Sequence, residues 1–380
     1  MGYKYKKNLT KIKRILQNPG DFKYLSANKK VNRSGLLLVI HESQELGASI
    51  LALHIAEKLK QQGVDVYLVS RQFGVMNEKY NKVAPLQIAL TNRSYEVICQ
   101  NLYKKGYRKA LIITASNGDL VKITKKCGFK VVSMIHELEP VIRMLHLEDA
   151  AKDMLVYSDK VLFSTSIAKK QILSLCNVCD SAKICIKPQG TYLEKPCPEE
   201  ITRQRENIIE SYPRLKDGKK VIAGIGNTTE RKGFDIFLQT AKLMPECEFI
   251  WAGKKENYYN EAIEKNGNPS NFIFLGSLNA EQLSGLYSLA DIYLMCSRFD
   301  TLPSTILEAL RFGTPVIGAK NSGGIVDIID SDNGFLTETA DSKQFAEAIK
   351  VGLTRNYKIE EIDGSFAEYV AYVLSLYEDK

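Results

Sequence analysis

DTLPSTILEALRFGTPVIGAKNSGGIVDII, residues 300–329, is the most informative stretch of this chain. Pro303 suits the first turn of a helix, where its missing N–H does no harm. TPVIGA (314–319) is a short apolar run that reads as a buried strand, and Gly323-Gly324 reads as the opening of a further helix. Helix, strand and helix in succession point to a parallel α/β layer structure. Asp300 and Glu308 stand eight positions apart around the start of the first helix. Carboxylates bind hydroxyls and helix N-termini bind phosphates, so the stretch suits a ligand carrying both, such as a sugar nucleotide.

The same alternation extends in both directions. Strands are predicted at 36–40, 64–69, 110–115, 130–135, 160–165 and 183–187, and again at 220–225, 247–253, 271–276, 291–296 and 314–319. Between the first two, GASILALHIAEKLKQQG places Ala48, Leu51, Ala52, Ile55 and Leu59 on one helical face, and Gly63 ends it. Helices fit at 233–243, 280–289 and 303–312. Residues 188–200 carry Pro188, Pro196 and Pro198 without periodicity and read as a linker. The expected organisation is a basic segment (1–34), a first Rossmann-like domain (35–190), a linker (191–200), a second Rossmann-like domain (201–360) and a C-terminal helix (361–380). Ligands of such sheets bind beyond the carboxyl ends of the strands, which points to the cleft between the domains.

At 380 residues, two domains are the natural expectation. Hydrophobic content of 44% and charged content of 25% are ordinary for a globular protein. No apolar run is long enough to span a bilayer, and the N-terminus lacks the apolar core of a secretory signal, so a cytoplasmic chain is expected. The net charge of +8 is uneven: residues 1–34 hold ten Lys and Arg against Asp21, interleaved with Tyr3, Tyr5, Leu9, Ile12, Ile15 and Leu16. Such a segment fits an anionic membrane surface or a solvated helix; no recognition motif for nucleic acid accompanies it. Among the eight cysteines, the group Cys176, Cys179, Cys185 and Cys197 has one CxxC, no second and no nearby His. That spacing fits structural zinc poorly, and isolated buried thiols are expected instead.

In GIGNTTERKGFDIFLQTAKLM (224–244), Arg231 and Lys232 fall at a strand end beside a helix start, where a diphosphate would bind. GSLNAEQLSGLYSLADIYLMCSRFD (276–300) runs from helix to buried strand and emerges at Asp300. Taken singly, Arg231 and Lys232 read equally as surface cations, Asp300 as a helix-terminal charge and Glu308 as a surface residue.

Taken together, the run from GNTTERKGFD to Asn333-Gly334-Phe335 resembles the C-terminal domain of glycosyltransferase family 4, which has the GT-B fold. The order Lys-Gly, Gly-x-Leu, acidic-x7-Glu-Ala, Gly-x-Pro-Val, Gly-Gly and Asn-Gly-Phe carries the resemblance. HESQELGASILALHIAEKLKQQGVDV (41–66) looks like the family's opening strand, glycine loop and helix, and MIHELEP (134–140) matches the segment where the family keeps an active-site His. The resemblance implies a retaining glycosyltransferase that needs no metal or other cofactor and uses a UDP- or GDP-linked sugar. The basic N-terminus and the cytoplasmic reading, in turn, suggest a glycan or lipid-linked acceptor at the inner membrane face, as in bacterial surface-polysaccharide assembly. Lys232 would hold the diphosphate, with Asn227 and Arg231 beside it. Asp300 would meet the donor sugar's hydroxyls, within a loop continuing through Thr301, Leu302, Pro303 and Ser304, and Glu308 the ribose. Gly47 would let the first helix approach the donor. His136 would lie near the reacting carbon, although a His beside an apolar strand is otherwise a satisfied core residue. His41 is an acceptor-side candidate, together with loops 71–85 and 116–124.

Three positions depart from the family pattern. Asp300 stands where Glu is commoner, Asn227 where an Arg is frequent, and Gly47-Ala48 where the family has Gly-Gly. Two rival readings share the architecture: a sugar-nucleotide epimerase, which would act without acceptor, and a non-catalytic partner of another transferase, which would tolerate loss of the acidic pair.

Overall fold

The computed structural model describes residues 35–359 and 366–378; the basic opening segment lies outside them. Seven strands form the first sheet: β1 (Leu36–Ile40), β2 (Val66–Ser70), β3 (Leu86–Ile88), β4 (Lys109–Ile113), β5 (Lys130–Ile135), β6 (Lys160–Phe163) and β7 (Ile184–Ile186). Their order is β3-β2-β1-β4-β5-β6-β7, and every pairing is parallel. Strands such as LLLVI are apolar at successive positions because helices cover both faces of the sheet; all five residues of β1 are buried. The helices are α1 (Gly47–Gln61), α2 (Asn77–Val83), α3 (Asn92–Lys104), α4 (Asp119–Lys126), α5 (Glu139–Met144), α6 (Glu148–Tyr157) and α7 (Ser166–Cys176). Helix α1 buries Leu51, Ala52, Ile55, Ala56 and Leu59, a 3.6-period stripe. Thr91 caps α3 in a reciprocal capping box with Ser94, and Thr165 caps α7.

The second sheet holds β8 (Lys220–Ile225), β9 (Cys247–Ala252), β10 (Phe272–Gly276), β11 (Ile292–Leu294), β12 (Val316–Ala319) and β13 (Gly334–Thr337) in the order β10-β9-β8-β11-β12-β13, again parallel. Its helices are α8 (Pro198–Ser211), α9 (Phe234–Leu243), α10 (Tyr258–Asn266), α11 (Ala280–Leu289), α12 (Ser304–Arg311) and α13 (Ser342–Leu353). The last helix, α14 (Phe366–Ser375), joins the core of the first sheet through Tyr369, Val370 and Val373. Beyond it, the Tyr377 hydroxyl donates to the Ala110 carbonyl at 2.7 Å.

The two sheets reverse strand order at corresponding places, β1/β4 and β8/β11. Ligands of doubly wound sheets bind outside the strand ends at such switch points. Three local differences from the sequence reading stand out. Edge strands β3 and β13 were not anticipated. Gly323-Gly324 opens a single 3-10 turn, Gly324–Asp327, instead of a full helix. Of the cysteines expected to be buried thiols, all eight are free, but Cys179 and Cys197 are exposed. No helix among the described residues is long and apolar enough to cross a membrane.

Candidate functional site

On the second domain, β8 ends at Ile225 and the chain loops to Gly233, whose φ of 70° starts α9. A Cβ at Gly233 would stand 2.0 Å from the Cys296 carbonyl oxygen, so only glycine lets this loop lie against the end of β11. The loop turns its cations onto Asp300. Lys232 Nζ donates to Asp300 Oδ2 at 2.6 Å, and Arg231 Nη1 donates to the same oxygen at 3.0 Å. Arg298 binds both oxygens of Asp235, at 2.8 and 2.7 Å, and ties the first turn of α9 to the same strand end. Burial alone would raise the Asp300 carboxyl, but the charges and hydrogen bonds of Lys232 and Arg231 outweigh it and hold the group below the usual carboxylate range.

The chain around Asp300 is fixed by backbone. Asp300 N–H donates to the Ser322 carbonyl at 2.7 Å, and Gly324 N–H donates to the Asp300 carbonyl at 3.1 Å. A Cβ at Gly324 would stand 1.7 Å from the Thr301 oxygen. The Gly-Gly pair therefore serves close approach of two loops.

Glu308, on α12, is buried and not a surface residue. Its Oε2 accepts from the Tyr287 hydroxyl at 2.8 Å. Burial raises its carboxyl, against the opposing hydrogen bonds of Tyr287 and Ser304. Tyr192, from the segment joining the domains, lies against this group. Burial first, and then the Glu308 charge, push the Tyr192 hydroxyl up to about 12, while a hydrogen bond with Ser304 opposes them. The Tyr192 ring stacks on His54 of α1, centroids 4.3 Å apart, and meets Phe366 of α14 edge-on. The proline-rich connection is thus packed against both domains.

The first domain presents the ends of β1, β2, β4 and β5, which carry His41, Arg71, Thr114 and His136. Arg71 is bound to both oxygens of Asp119 at 2.8 Å. Burial lowers the His41 imidazole below its ordinary value. Burial also drives His136 down to about 4, so its ring is neutral near pH 7. Among the described residues, His136 Nε2, His41 Nδ1 and Thr114 Oγ1 are buried without a hydrogen-bond partner. His136 is therefore not the satisfied core histidine that its strand alone would predict.

Three contacts bring the two faces together. Thr301 Oγ1 donates to the His136 carbonyl at 2.6 Å. Phe299 packs against the core of the first domain. Asp327 accepts from the backbone and hydroxyl of Ser166, at the start of α7. Lys232, Arg231, Asp300, Thr301 and His136 thus form one connected group. Leu302 and Pro303 continue it into α12, where Ser304 and Glu308 face Tyr192. Asn227 is half-buried at the start of the cation loop. Gly47 stands exposed at the head of α1, with open space where a Cβ would lie, and is not bonded to the group. Sequence reasoning missed Tyr192, Tyr287 and Glu137. Glu137 lies inside the quoted MIHELEP, but nothing in its spacing signalled burial.

Residues 205–362 match the family model described as glycosyl transferases group 1. Among curated proteins, alpha-galactosylglucosyldiacylglycerol synthase of Streptococcus pneumoniae is 33% identical over 144 residues, covering 36% of this chain and 37% of that protein. Processive diacylglycerol alpha-glucosyltransferase of Acholeplasma laidlawii is 32% identical over 123 residues, covering 31% and 36%. Sulfoquinovosyl transferase SQD2 of Arabidopsis thaliana is 24% identical over 393 residues, covering 95% and 70%. The two bacterial alignments thus span little more than a third of those relatives' own length. Among solved structures, Anabaena HepE in complex with UDP superposes with a TM-score of 0.72 at 16% identity, covering 90% of this chain and 94% of that one. WaaG, a glycosyltransferase involved in lipopolysaccharide biosynthesis, superposes with a TM-score of 0.66 at 16% identity, covering 91% and 100%. With these matches added to its paired parallel sheets, the chain has the GT-B fold, and its residues 205–362 are similar to the glycosyl transferases group 1 family.

Proposed function

We propose that this protein transfers a sugar, with retention of anomeric configuration, from a nucleotide-sugar donor to a hydroxyl of a glycolipid or other lipid-linked saccharide at a membrane surface. The observation that carries this reading is the clasp of Lys232 and Arg231 on Asp300, joined through Thr301 to His136 across the domain boundary. A departing nucleoside diphosphate develops negative charge, and cations already held at a strand end offset it without reorganising. Asp300 keeps those cations in place before the donor arrives, and its free lone pairs suit sugar hydroxyls. Neutral His136 offers an unpartnered ring nitrogen beside this loop. Apposed strand ends orient donor and acceptor and exclude the water that would hydrolyse the donor.

The lipid acceptor is supported by the bacterial relatives, which are named for diacylglycerol glycolipids, and the uridine donor by the UDP bound in HepE. Membrane attachment is supported by the basic opening segment and by exposed Leu46, Phe73 and Val75 on two loops of the first domain. The test is transfer from UDP-glucose, UDP-galactose or GDP-mannose to vesicles containing diacylglycerol or glucosyldiacylglycerol. Mass spectrometry detects the product, and proton NMR reads the anomer. One donor should give an α-linked glycolipid. An epimerised sugar nucleotide formed without acceptor would instead establish the epimerase, and transfer unchanged in Glu308→Ala would remove the acidic pair from the site.

A further inference from the structure

Glu137 takes part in none of the contacts assigned above, yet it joins the ends of two central strands. Both of its carboxylate oxygens lie 3.1 Å from the Ala115 N–H, and one lies 3.0 Å from the His136 N–H. Ala115 follows Thr114, whose φ of 71° and ψ of 146° fall where side-chain-bearing residues rarely go. Thr114 N–H still completes the sheet ladder, donating to the Met134 carbonyl at 2.9 Å. After it the chain leaves the ladder, and the next N–H, that of Ala115, is met by Glu137. Strained backbone of this kind persists only where its surroundings enforce it.

We propose that Glu137 is a positioning residue for transfer: its carboxylate clamps the ends of β4 and β5 and so fixes the main chain of His136 against the donor-side loop. The proposal rests on reading the interdomain cleft as the transfer site. The His136 peptide groups are then held from opposite sides. Glu137 takes the N–H from within the first domain, and Thr301, next to Asp300, binds the carbonyl from the second. Loosening the Glu137 bonds would free both strand ends and let the imidazole drift from the donor, and misplacement by about 1 Å costs on the order of a hundredfold in rate.

The clamp is complete only when the carboxyl is ionised, because a proton on one oxygen would face N–H donors. Burial pushes this carboxyl up to about 7, against the backbone hydrogen bonds that favour the charged form. The charged and titratable groups on the surrounding elements are His136 and Glu139 on its own segment, Asp119 and Arg71 beyond the Thr114 turn, His41 at the end of β1, and Asp300 with Lys232 and Arg231 across the boundary. His136 titrates near 4 and Asp300 lies below the ordinary carboxylate range, so neither supplies a step near neutrality.

The test compares the full chain with Glu137→Gln, which keeps the size but places an amide against N–H donors, and with Glu137→Asp, which keeps the charge on a shorter arm. Two readouts are taken: kcat against pH for transfer from UDP-glucose to glucosyldiacylglycerol vesicles, and amide hydrogen exchange at Ala115 and His136, corrected for intrinsic rates. The wild-type kcat should rise about tenfold from pH 6 to pH 8 with a midpoint near 7. Glu137→Gln should be low and flat, with the donor KM within about twofold of wild type, and Glu137→Asp should recover an acid limb at a displaced pH. Protection at both amides should fall in Glu137→Gln. An acid limb kept by Glu137→Gln, or unchanged protection in it, would overturn the clamp. If wild type transfers no sugar from any nucleotide donor, the transfer reading fails by itself, and the exchange measurement still decides the clamp. Should Glu137→Gln not fold, Glu137→Asp decides by the same two readouts: a displaced acid limb with reduced protection supports the clamp, and wild-type behaviour in both overturns it.

Discussion

The hydroxyl of Thr301 donates to the carbonyl of His136 at 2.6 Å, and this one bond joins the acidic loop of the second domain to the β5 end of the first. The residues next to it are, in the second domain, Asp300, held by two cations, and, in the first, Glu137. Thr301→Val keeps the shape and removes the donor. An intramolecular hydrogen bond contributes about 1 kcal/mol net, so kcat should fall about fivefold to tenfold with little change in melting temperature. Steady-state kinetics with the nucleotide donor checks this. An unchanged kcat would mean that the bond is incidental to turnover.

His136 and Glu137 are chain neighbours that burial displaces in opposite directions, to about 4 and about 7. The two signs separate under mutation. His136 is neutral in the fold, while the unfolded chain takes up a proton below about 6.5. Its contribution to stability is therefore present above that pH and lost as pH falls toward 4. Glu137 behaves oppositely, because the fold holds its proton more tightly than the unfolded chain does. Its contribution is present below about 4.5 and lost as pH rises through 7. Glu137→Gln should therefore gain stability relative to wild type between pH 5 and pH 8, by about 3 kcal/mol at most. His136→Gln should gain relative to wild type on acidification from pH 6.5 to pH 4.5. Urea denaturation at fixed pH values measures both. A stability difference between Glu137→Gln and wild type that is independent of pH would contradict the displaced carboxyl.

Lys232 and Arg231 share one Asp300 oxygen but are not equivalent. The Lys232 side chain is 18% exposed and 2.6 Å from that oxygen, whereas Arg231 is 44% exposed and 3.0 Å away. The less exposed cation loses less to solvent screening and should carry more of the leaving-group charge. Lys232→Ala is expected to lower kcat about a hundredfold, the scale seen when one preorganised stabilising group is removed. Arg231→Ala should cost about tenfold less than that. UDP titration calorimetry on both variants separates ground-state binding from turnover. Equal losses, or a larger loss in Arg231→Ala, would reverse the assignment.

Strands buried on both faces were legible because they are unbroken apolar runs: β1, β5 and β8 begin and end where the sequence pattern does. Strand β3 was not, since Leu86–Ile88 is a half-buried edge segment of three residues following Pro85. Strand β13 opens on Gly334, which weakens any strand signal. Gly323-Gly324 misled because a glycine pair before an apolar stretch reads as a helix entrance, whereas a φ of 114° and contact with the Asp300 and Thr301 carbonyls are what require it. The cations of 231–232 were legible as strand-end residues. Their meeting with Asp300 depends on β8 and β11 being neighbours in the sheet, which local patterning does not specify. Glu308 read as a surface group because its helix begins at the cleft; the Tyr287 hydroxyl that satisfies it comes from another helix. Tyr192 lies in a segment without periodicity, where no pattern marks which side chain turns inward.

The loops after β1 and β2 touch. A Cβ at Gly74 would stand 2.0 Å from the Ser43 carbonyl oxygen, and Met76 N–H donates to that same oxygen at 2.9 Å. These paired loops display Leu46, Phe73 and Val75 at 46%, 48% and 65% exposure, an apolar group beside the strand ends of the first domain. Fully burying a large apolar side chain contributes about 1.5–3 kcal/mol, so partial insertion of Phe73 and Val75 should strengthen vesicle binding by roughly tenfold to a hundredfold. The basic segment adds about 1 kcal/mol per Lys or Arg near an anionic surface, a contribution that salt screens. Flotation with phosphatidylglycerol-containing vesicles should distinguish the two. Phe73→Ser/Val75→Ser should weaken binding at low and high salt alike, and deletion of residues 1–34 should remove the salt-sensitive part. If the full chain floats equally well after both changes, attachment runs through another face, and the strand ends would not be presented to a lipid-embedded acceptor by these loops.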